Sequence, residues 1–117
     1  RPGDANSYRN RALSLLRSPD MGDAIDCLNV YIGFNSTDAE AYFNRGMAYA
    51  QLKRYDRAIA DLTRYTQLQP NNANAYYQRA MCFLNRADSE WEKEDEEKAA
   101  PDYASAVSDF SETTKRR

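Results

Sequence analysis

The sequence of 117 residues predicts an all-α protein made of repeated helical hairpins, and two observations support this fold class. First, shifting the sequence by 34 residues against itself aligns small, aromatic and helix-capping residues. Second, apolar and small residues of the middle unit recur three, four and seven positions apart, the spacing of one helical face. Together they predict six helices that pair into three stacked hairpins.

Matching residues recur along the first helix of each unit. The predicted helix N-caps are Asp4, Asp38 and Asn72. A tyrosine follows each cap after four residues and an arginine after seven, which gives Tyr8, Tyr42, Tyr76, Arg11, Arg45 and Arg79. The residue after each arginine is small, and it allows a neighbouring helix to approach closely: Ala12, Gly46 and Ala80.

The second helices repeat as well. In the first two units the matching residues are Ala24, Ile25 and Leu28, then Ala58, Ile59 and Leu62. In the third unit the corresponding Ala106, Val107 and Phe110 come 14 residues late, after an added segment at 88–101. This segment is rich in helix formers, so we expect a lengthened hairpin that extends outward, returns, and resumes its regular pattern after Pro101. Trp91 is then either a structural plug or an exposed contact.

The segment Ala39–Asn72 resembles a nearly complete tetratricopeptide repeat. The residues that carry the resemblance occupy the family's positions 4, 8, 11, 20 and 32, and they are Tyr42, Gly46, Tyr49, Ala58 and Pro70. The resemblance covers essentially the whole chain as a single domain, 1–117, with repeats at 5–38, 39–72 and 73–117. It implies an α–α solenoid, a right-handed superhelix whose first helices line a concave groove.

By this resemblance the groove would hold a peptide or a segment of a partner protein. The candidate groove residues lie on the first helices and are Arg9, Leu13, Arg17, Phe43, Asn44, Met47, Tyr77, Gln78, Met81 and Asn85. Flexible methionines and flat aromatic rings suit extended apolar segments, and the amides suit a peptide backbone. Arg9 and Arg17 suit an acidic group. The alternative is that the Met and aromatic residues are partly buried between neighbouring helices.

Some family members hold the C-terminal carboxylates of heat-shock chaperones with Lys, Asn and Arg at five positions. The corresponding residues here are Arg9, Leu13, Asn44, Asn74 and Gln78. Only Asn44 matches outright, and the third repeat supplies no positive charge to the carboxylates. The sequence therefore does not predict this chaperone clamp.

The last helix supports a second hypothesis, which is structural. No polar capping helix follows it, so Tyr103, Ala106 and Phe110 are expected to leave part of an apolar face uncovered. A homodimer, or docking on another domain of the same chain, would cover that face. Because the chain begins at Arg1 and stops as a helical pattern finishes, we expect a fragment of a larger protein.

Composition argues against several other functions. A formal charge of −2 does not favour nucleic acid or an anionic membrane, and no apolar run is long enough for insertion into one. The sequence has no histidine, phosphate-binding loop or nucleophile motif, so we expect no enzyme activity, metal or cofactor. The acidic run 88–98, with net charge −5, is interpreted as a solvated face. The compartment is not specified, with the cytoplasm slightly favoured.

Two residue types have a structural interpretation. Cys27 and Cys82 lie inside apolar helical patterns, so they are interpreted as small buried residues rather than as a disulfide. Arg11, Arg45 and Arg79 stand where the family usually has Leu. Each is expected to lay its aliphatic stem on the core and extend its charge to the edge.

Overall fold

The computed structural model describes residues 5–16, 21–92 and 96–116, and these residues form six α-helices and no strand. The helices are α1 (Ala5–Leu15), α2 (Met21–Phe34), α3 (Ala39–Gln51), α4 (Tyr55–Leu68), α5 (Ala73–Glu92) and α6 (Glu96–Lys115). The all-α prediction is confirmed. The predicted N-cap Asp4, the candidate groove residue Arg17 and the Trp91 side chain lie outside what the structure describes.

Each helix packs mainly on the helices that precede and follow it in sequence, and the α5–α6 contact is the most extensive. Sequence neighbours are therefore spatial neighbours, which is the arrangement of a helical solenoid. The molecule is elongated, with principal extents of 47 × 32 × 21 Å.

The predicted caps and turns account for the helix boundaries. The carboxylate of Asp38 accepts the backbone N–H of Glu40 at 3.1 Å, and the Asn72 side chain accepts that of Asn74 at 2.9 Å. Both side chains satisfy donors that a helix start leaves free. Lys53 has a φ of 61° and lies in the turn between α3 and α4.

Close helix approach explains the small residues. Ala12, Ala58 and Ala80 are fully buried. A Cβ atom built on Gly46 would lie 3.2 Å from the Cβ of Asp61 and 3.3 Å from the carbonyl oxygen of Ala58. The α3–α4 pair is therefore packed at a distance that only a glycine or a very small side chain permits.

Two arginines form bidentate ion pairs between the helices of their hairpins. The Arg45 guanidinium donates to the carboxylate of Asp61 at 2.8 and 2.9 Å, and Arg79 donates to Asp109 at 2.8 Å twice. Donating hydrogen bonds to these carboxylates raises the pKa of both guanidinium groups. The structural interpretation of Arg45 and Arg79 is confirmed, but the charges are neutralised by buried aspartates rather than extended to the edge.

A third arginine forms ion pairs with two aspartates beside the lengthened hairpin. Arg86 donates to Asp102 in α6 at 2.6 and 2.7 Å, and to Asp56 in α4 at 2.7 Å. The hydrogen bonds that it donates, to Asp102 first and then to Asp56, raise the pKa of its guanidinium group. Arg86 thus ties α4, α5 and α6 together at the point where the added segment leaves the regular hairpin.

The added residues extend both helices of the third hairpin, as α5 continues to Glu92 and α6 begins at Glu96. The sequence predicted a return before Pro101 but not an α-helix that runs through it. Proline removes one helical hydrogen bond, and packing of the buried Ala99 and Asp102 compensates for that loss. The hydroxyl of Tyr103 also donates to Asp88 at 2.8 Å across the hairpin.

Both cysteines are free, as the sequence indicates. Cys82 is buried between α4 and α5, and Cys27 is half-buried against the first core cluster. Burial raises the pKa of the Cys82 thiol to about 11.

We expect Cys82 to react much more slowly than Cys27 with a thiol reagent at pH 8. With a pKa of about 11, only roughly 0.1% of the buried Cys82 thiol is ionised at pH 8, and thiolate is the reactive form. Single-cysteine variants Cys27→Ser and Cys82→Ser, reacted with a chromogenic disulfide, measure the two rates separately. Equal rates in the folded protein would contradict the burial of Cys82.

Candidate functional site

Three of the candidate groove residues form a row, one at the equivalent position of the first helix in each hairpin. Leu13 in α1, Met47 in α3 and Met81 in α5 are all half-buried. Their side chains are neither enclosed in the core nor fully solvated, so apolar surface remains on α1, α3 and α5 for a partner.

Phe43 in α3 contributes to the core as well as to this surface. It packs against the cluster of Ala58, Ile59, Leu62 and Cys82, and its ring centroid lies 5.3 Å from that of Tyr65. The interpretation that groove aromatics are partly buried between helices therefore applies to Phe43.

Tyr77 in α5 is more accessible, with 39% of its surface exposed. Its ring meets that of Phe110 edge-on at 5.9 Å. A candidate groove residue thus contacts a residue predicted for self-association, and the two surfaces meet at the C-terminal hairpin.

The polar candidates surround this row. Asn44 and Gln78 are half-buried, and Asn85 is exposed. The Gln78 amide donates to the side-chain oxygen of Asn74 at 3.4 Å, which orients two neighbouring amides of α5. Arg9 is half-buried in α1, close enough to Tyr31 for its charge to act on the Tyr31 hydroxyl.

Two tyrosines of the second helices form hydrogen bonds with the N-cap residues of the hairpins that follow. The Tyr31 hydroxyl donates to the carboxylate of Asp38, and this hydrogen bond, followed by burial, raises the pKa of Tyr31. The hydroxyl of Tyr65 accepts the Asn72 amide at 2.7 Å. Each tyrosine thereby links the second helix of one hairpin to the N-cap of the next hairpin.

The third hairpin differs at the corresponding position, where α6 carries Thr113. Its hydroxyl donates to the backbone oxygen of Asp109 at 3.0 Å. A pocket of about 380 Å³ opens here, lined by Ala73, Asn74, Tyr77 and Thr113. Sequence reasoning missed this pocket, although the change from tyrosine to threonine at a repeated position could have revealed it.

The outer face of α6 is only partly as predicted. Ala106 is buried, with 2% exposure, because it packs inside the hairpin, so it is not available to a second chain. Tyr103 is half-buried and hydrogen-bonded to Asp88, and Phe110 is half-buried against Tyr77. The exposed apolar residue is Val107 at 68%, whereas the corresponding Ile25 and Ile59 are 7% and 9% exposed.

Two other features, a metal site and a membrane span, are absent from the described residues 5–16, 21–92 and 96–116. In these ranges no three Cys, Asp or Glu side chains are grouped in a way that could hold a metal ion. None of the helices in the described part of the chain is both long and apolar enough to span a membrane.

Comparison with solved structures supports the fold. The second TPR of Spaghetti (RPAP3), bound to the HSP90 peptide SRMEEVD, covers 99% of this chain and 94% of its own, with a TM-score of 0.75 and 21% identity. The TPR2B domain of yeast Sti1, in a complex with pHsp70, covers 97% of this chain and 98% of its own, with a TM-score of 0.67 and 21% identity. At this identity the similarity shows the fold alone.

A crystal structure of MamA also aligns, with a TM-score of 0.69 and 21% identity over 95% of this chain. The chain spans 57% of that structure's length. No curated protein sequence matches the chain significantly. The family model for the tetratricopeptide repeat matches residues 14–82, more than half of the sequence. The chain therefore belongs to the tetratricopeptide repeat family, whose members serve as protein-binding modules.

Proposed function

We propose that this chain is a protein-interaction scaffold that binds an extended or helical segment of a partner along the surface of α1, α3 and α5. The observation that carries the proposal is the half-buried row of Leu13, Met47 and Met81, one residue from each first helix. A row that spans all three hairpins suits a long ligand rather than a small molecule.

The chemistry of the row favours an apolar segment with a free backbone. Unbranched methionines adapt to ligands of different shape, and the accessible Tyr77 ring provides a flat contact. Asn44, Gln78 and Asn85 lie beside the row and can donate to and accept from a peptide backbone. Two structures with the same fold were solved with bound chaperone peptides. They are the second TPR of Spaghetti (RPAP3) with an HSP90 peptide and the second TPR domain of human RPAP3 with an HSP70 peptide. Both support a peptide as the class of ligand.

We expect replacement of Met47, Tyr77 and Met81 by Ala to weaken peptide binding by about 5- to 30-fold each where the ligand covers that residue. Truncating a central contact typically costs about 1–2 kcal/mol of binding free energy. The ligands are peptides selected from a random display library with the 117-residue chain, and their affinities are measured by fluorescence anisotropy.

Phe34→Ala provides a matched control, because Phe34 is an aromatic residue of α2 with 50% exposure, away from the first helices. It should leave peptide affinity unchanged. Circular dichroism verifies that every variant is folded. If the selected peptides keep their affinity for all three folded groove variants, the first helices do not form the binding surface.

The same assay includes the chaperone peptide SRMEEVD. A two-carboxylate ligand needs converging positive charge, and Arg79 and Arg86 of the third hairpin are already paired with aspartates. We propose that chaperone C-termini are not the partners, so SRMEEVD should bind no better than a scrambled peptide. Saturable binding that is lost in Arg9→Ala and Asn44→Ala would reverse this conclusion.

A second candidate function is self-association, or docking on another domain of the same chain, through α6. Val107 favours it, because the equivalent isoleucines of α2 and α4 are buried. We expect Val107→Glu to abolish any concentration-dependent dimer seen by sedimentation velocity, and Phe34→Glu to leave that dimer unchanged. A wild-type chain that sediments as a monomer at all concentrations would exclude the homodimer.

A further inference from the structure

The second helices carry an equivalent residue near their C-terminal ends, and it differs only in the last hairpin. The three residues are Tyr31 in α2, Tyr65 in α4 and Thr113 in α6. The register does not depend on sequence alignment alone. Tyr65 and Thr113 each lie four residues after the aspartate that pairs with the hairpin arginine, Asp61 and Asp109 respectively.

In the first two hairpins a tyrosine ring fills the space between the helices. Tyr31 and Tyr65 are 5% and 3% exposed. The Tyr65 ring lies tilted by 57° against the Phe43 ring, with the centroids 5.3 Å apart. This distance and tilt are favourable for two aromatic rings.

In the third hairpin the ring is missing and its place is open. Tyr77 occupies the position of Phe43, and Thr113 occupies that of Tyr65. These two residues, with Ala73 and Asn74, line the pocket of about 380 Å³. The pocket therefore coincides with the site that Tyr65 fills one repeat earlier, and its volume is within the range of about 300–1,000 Å³ found for ligand sites.

The walls of the pocket suit an aromatic ring. Tyr77 supplies an aromatic lining residue, and the Thr113 hydroxyl is already engaged with the backbone oxygens of Asp109 at 3.0 Å and Ala73 at 3.4 Å. None of the four lining residues is charged, so the pocket gives no reason to prefer a carboxylate, phosphate or ammonium ligand. The side-chain oxygen of Asn74 already accepts the Gln78 amide.

We infer that this pocket binds an aromatic side chain of the partner segment, a tyrosine or phenylalanine that replaces the ring missing from the third hairpin. The inference rests on the proposed function, because the pocket opens beside the groove residue Tyr77. The partner's ring would lie against Tyr77 as Tyr65 lies against Phe43, and it would repeat in the third hairpin the ring contact of the second.

The test is an NMR titration of the isotope-labelled chain with N-acetyl-tyrosinamide and N-acetyl-leucinamide. We expect saturating shifts of the Asn74, Tyr77 and Thr113 amides with the tyrosine compound, and at least 10-fold weaker effects with the leucine compound. Thr113→Tyr supplies the ring from the chain itself, as the other hairpins do, and should weaken binding at least 10-fold. Thr114→Tyr is the matched control and should bind like the wild type.

The inference is overturned if the tyrosine compound produces no saturating shifts at the pocket, or if Thr113→Tyr binds it as well as Thr114→Tyr does. The wild-type titration is decisive even if Thr113→Tyr does not fold. Failure of the aromatic pocket is distinguishable from failure of the proposed function. The proposed function is measured with long peptides and with Met47 variants, and Met47 lies outside the pocket. Peptides that require Met47 but tolerate Thr113→Tyr would leave the scaffold intact and exclude the aromatic pocket.

Discussion

Replacement of Arg79 by Ala is expected to lower the free energy of unfolding by about 3 kcal/mol. The change leaves the carboxylate of Asp109, which is only 6% exposed, without its bidentate partner inside the α5–α6 hairpin. It also removes donors to the hydroxyls of Thr63 and Thr66 in α4. The measurement is urea unfolding followed by circular dichroism at 222 nm.

Arg64→Ala is the matched control, since the Arg64 side chain is exposed, donates to Gln67 at 3.4 Å and lies 5.9 Å from the Tyr42 ring centroid. It should change stability by less than about 0.5 kcal/mol. The double variant Arg79→Ala with Asp109→Ala should lose less than the sum of the two single variants, because no buried charge remains unpaired. Strict additivity would show that the pair does not act as a unit.

Replacement of Leu62 by Ala should have an effect of similar size, a loss of about 3 kcal/mol of unfolding free energy. Leu62 is fully buried in the cluster of Ala58, Ile59 and Cys82, where α3, α4 and α5 meet. Truncation removes apolar contacts and leaves a cavity that three helices cannot easily close. Thermal and urea unfolding measure the change.

The internal repeat provides a matched comparison in Phe110, which occupies the position of Leu62 in α6 but is only half-buried. Phe110→Ala should cost about half as much or less, because a half-buried side chain loses fewer apolar contacts on truncation than the fully buried Leu62 does. Equal losses at the two positions would mean that the outer face of α6 is covered, which would support self-association.

Much of the helical architecture could be predicted from the sequence. Asp38 and Asn72 cap helices as expected. These features depend on residues close together in the chain, so a single sequence contains the information. The start of α6 could not be predicted, because the helix passes through Pro101 only where it packs on α5.

The partners of the repeated arginines illustrate a different limit. Asp61 and Asp109 lie at equivalent positions of the second helices. From sequence alone, however, a single aspartate in a helical pattern is interpreted as a surface residue. Whether it is buried depends on which helix packs over it. In the first hairpin the equivalent residue is Cys27, so an ion pair of this type cannot form there. The aspartate therefore recurs in only two of the three repeats, which is a weak sequence signal.

Some features of the candidate site could be predicted from the sequence, and others depend on packing between helices. The repeat follows from spacing along the chain, and the choice of first-helix residues follows from the resemblance to the tetratricopeptide repeat family. The burial of Phe43 and Ala106, the exposure of Val107 and the contact of Tyr77 with Phe110 depend on packing between helices.

The sequence by itself determined the helical repeat, its caps and its small packing residues, because these are set by local spacing and by side-chain size. Tertiary structure alone decided which charges are neutralised in pairs and which apolar residues remain exposed. It also decided that a threonine in place of a tyrosine leaves a pocket beside Tyr77. The physical reason is that burial and charge pairing are properties of two helices in contact, whereas spacing and capping belong to one helix.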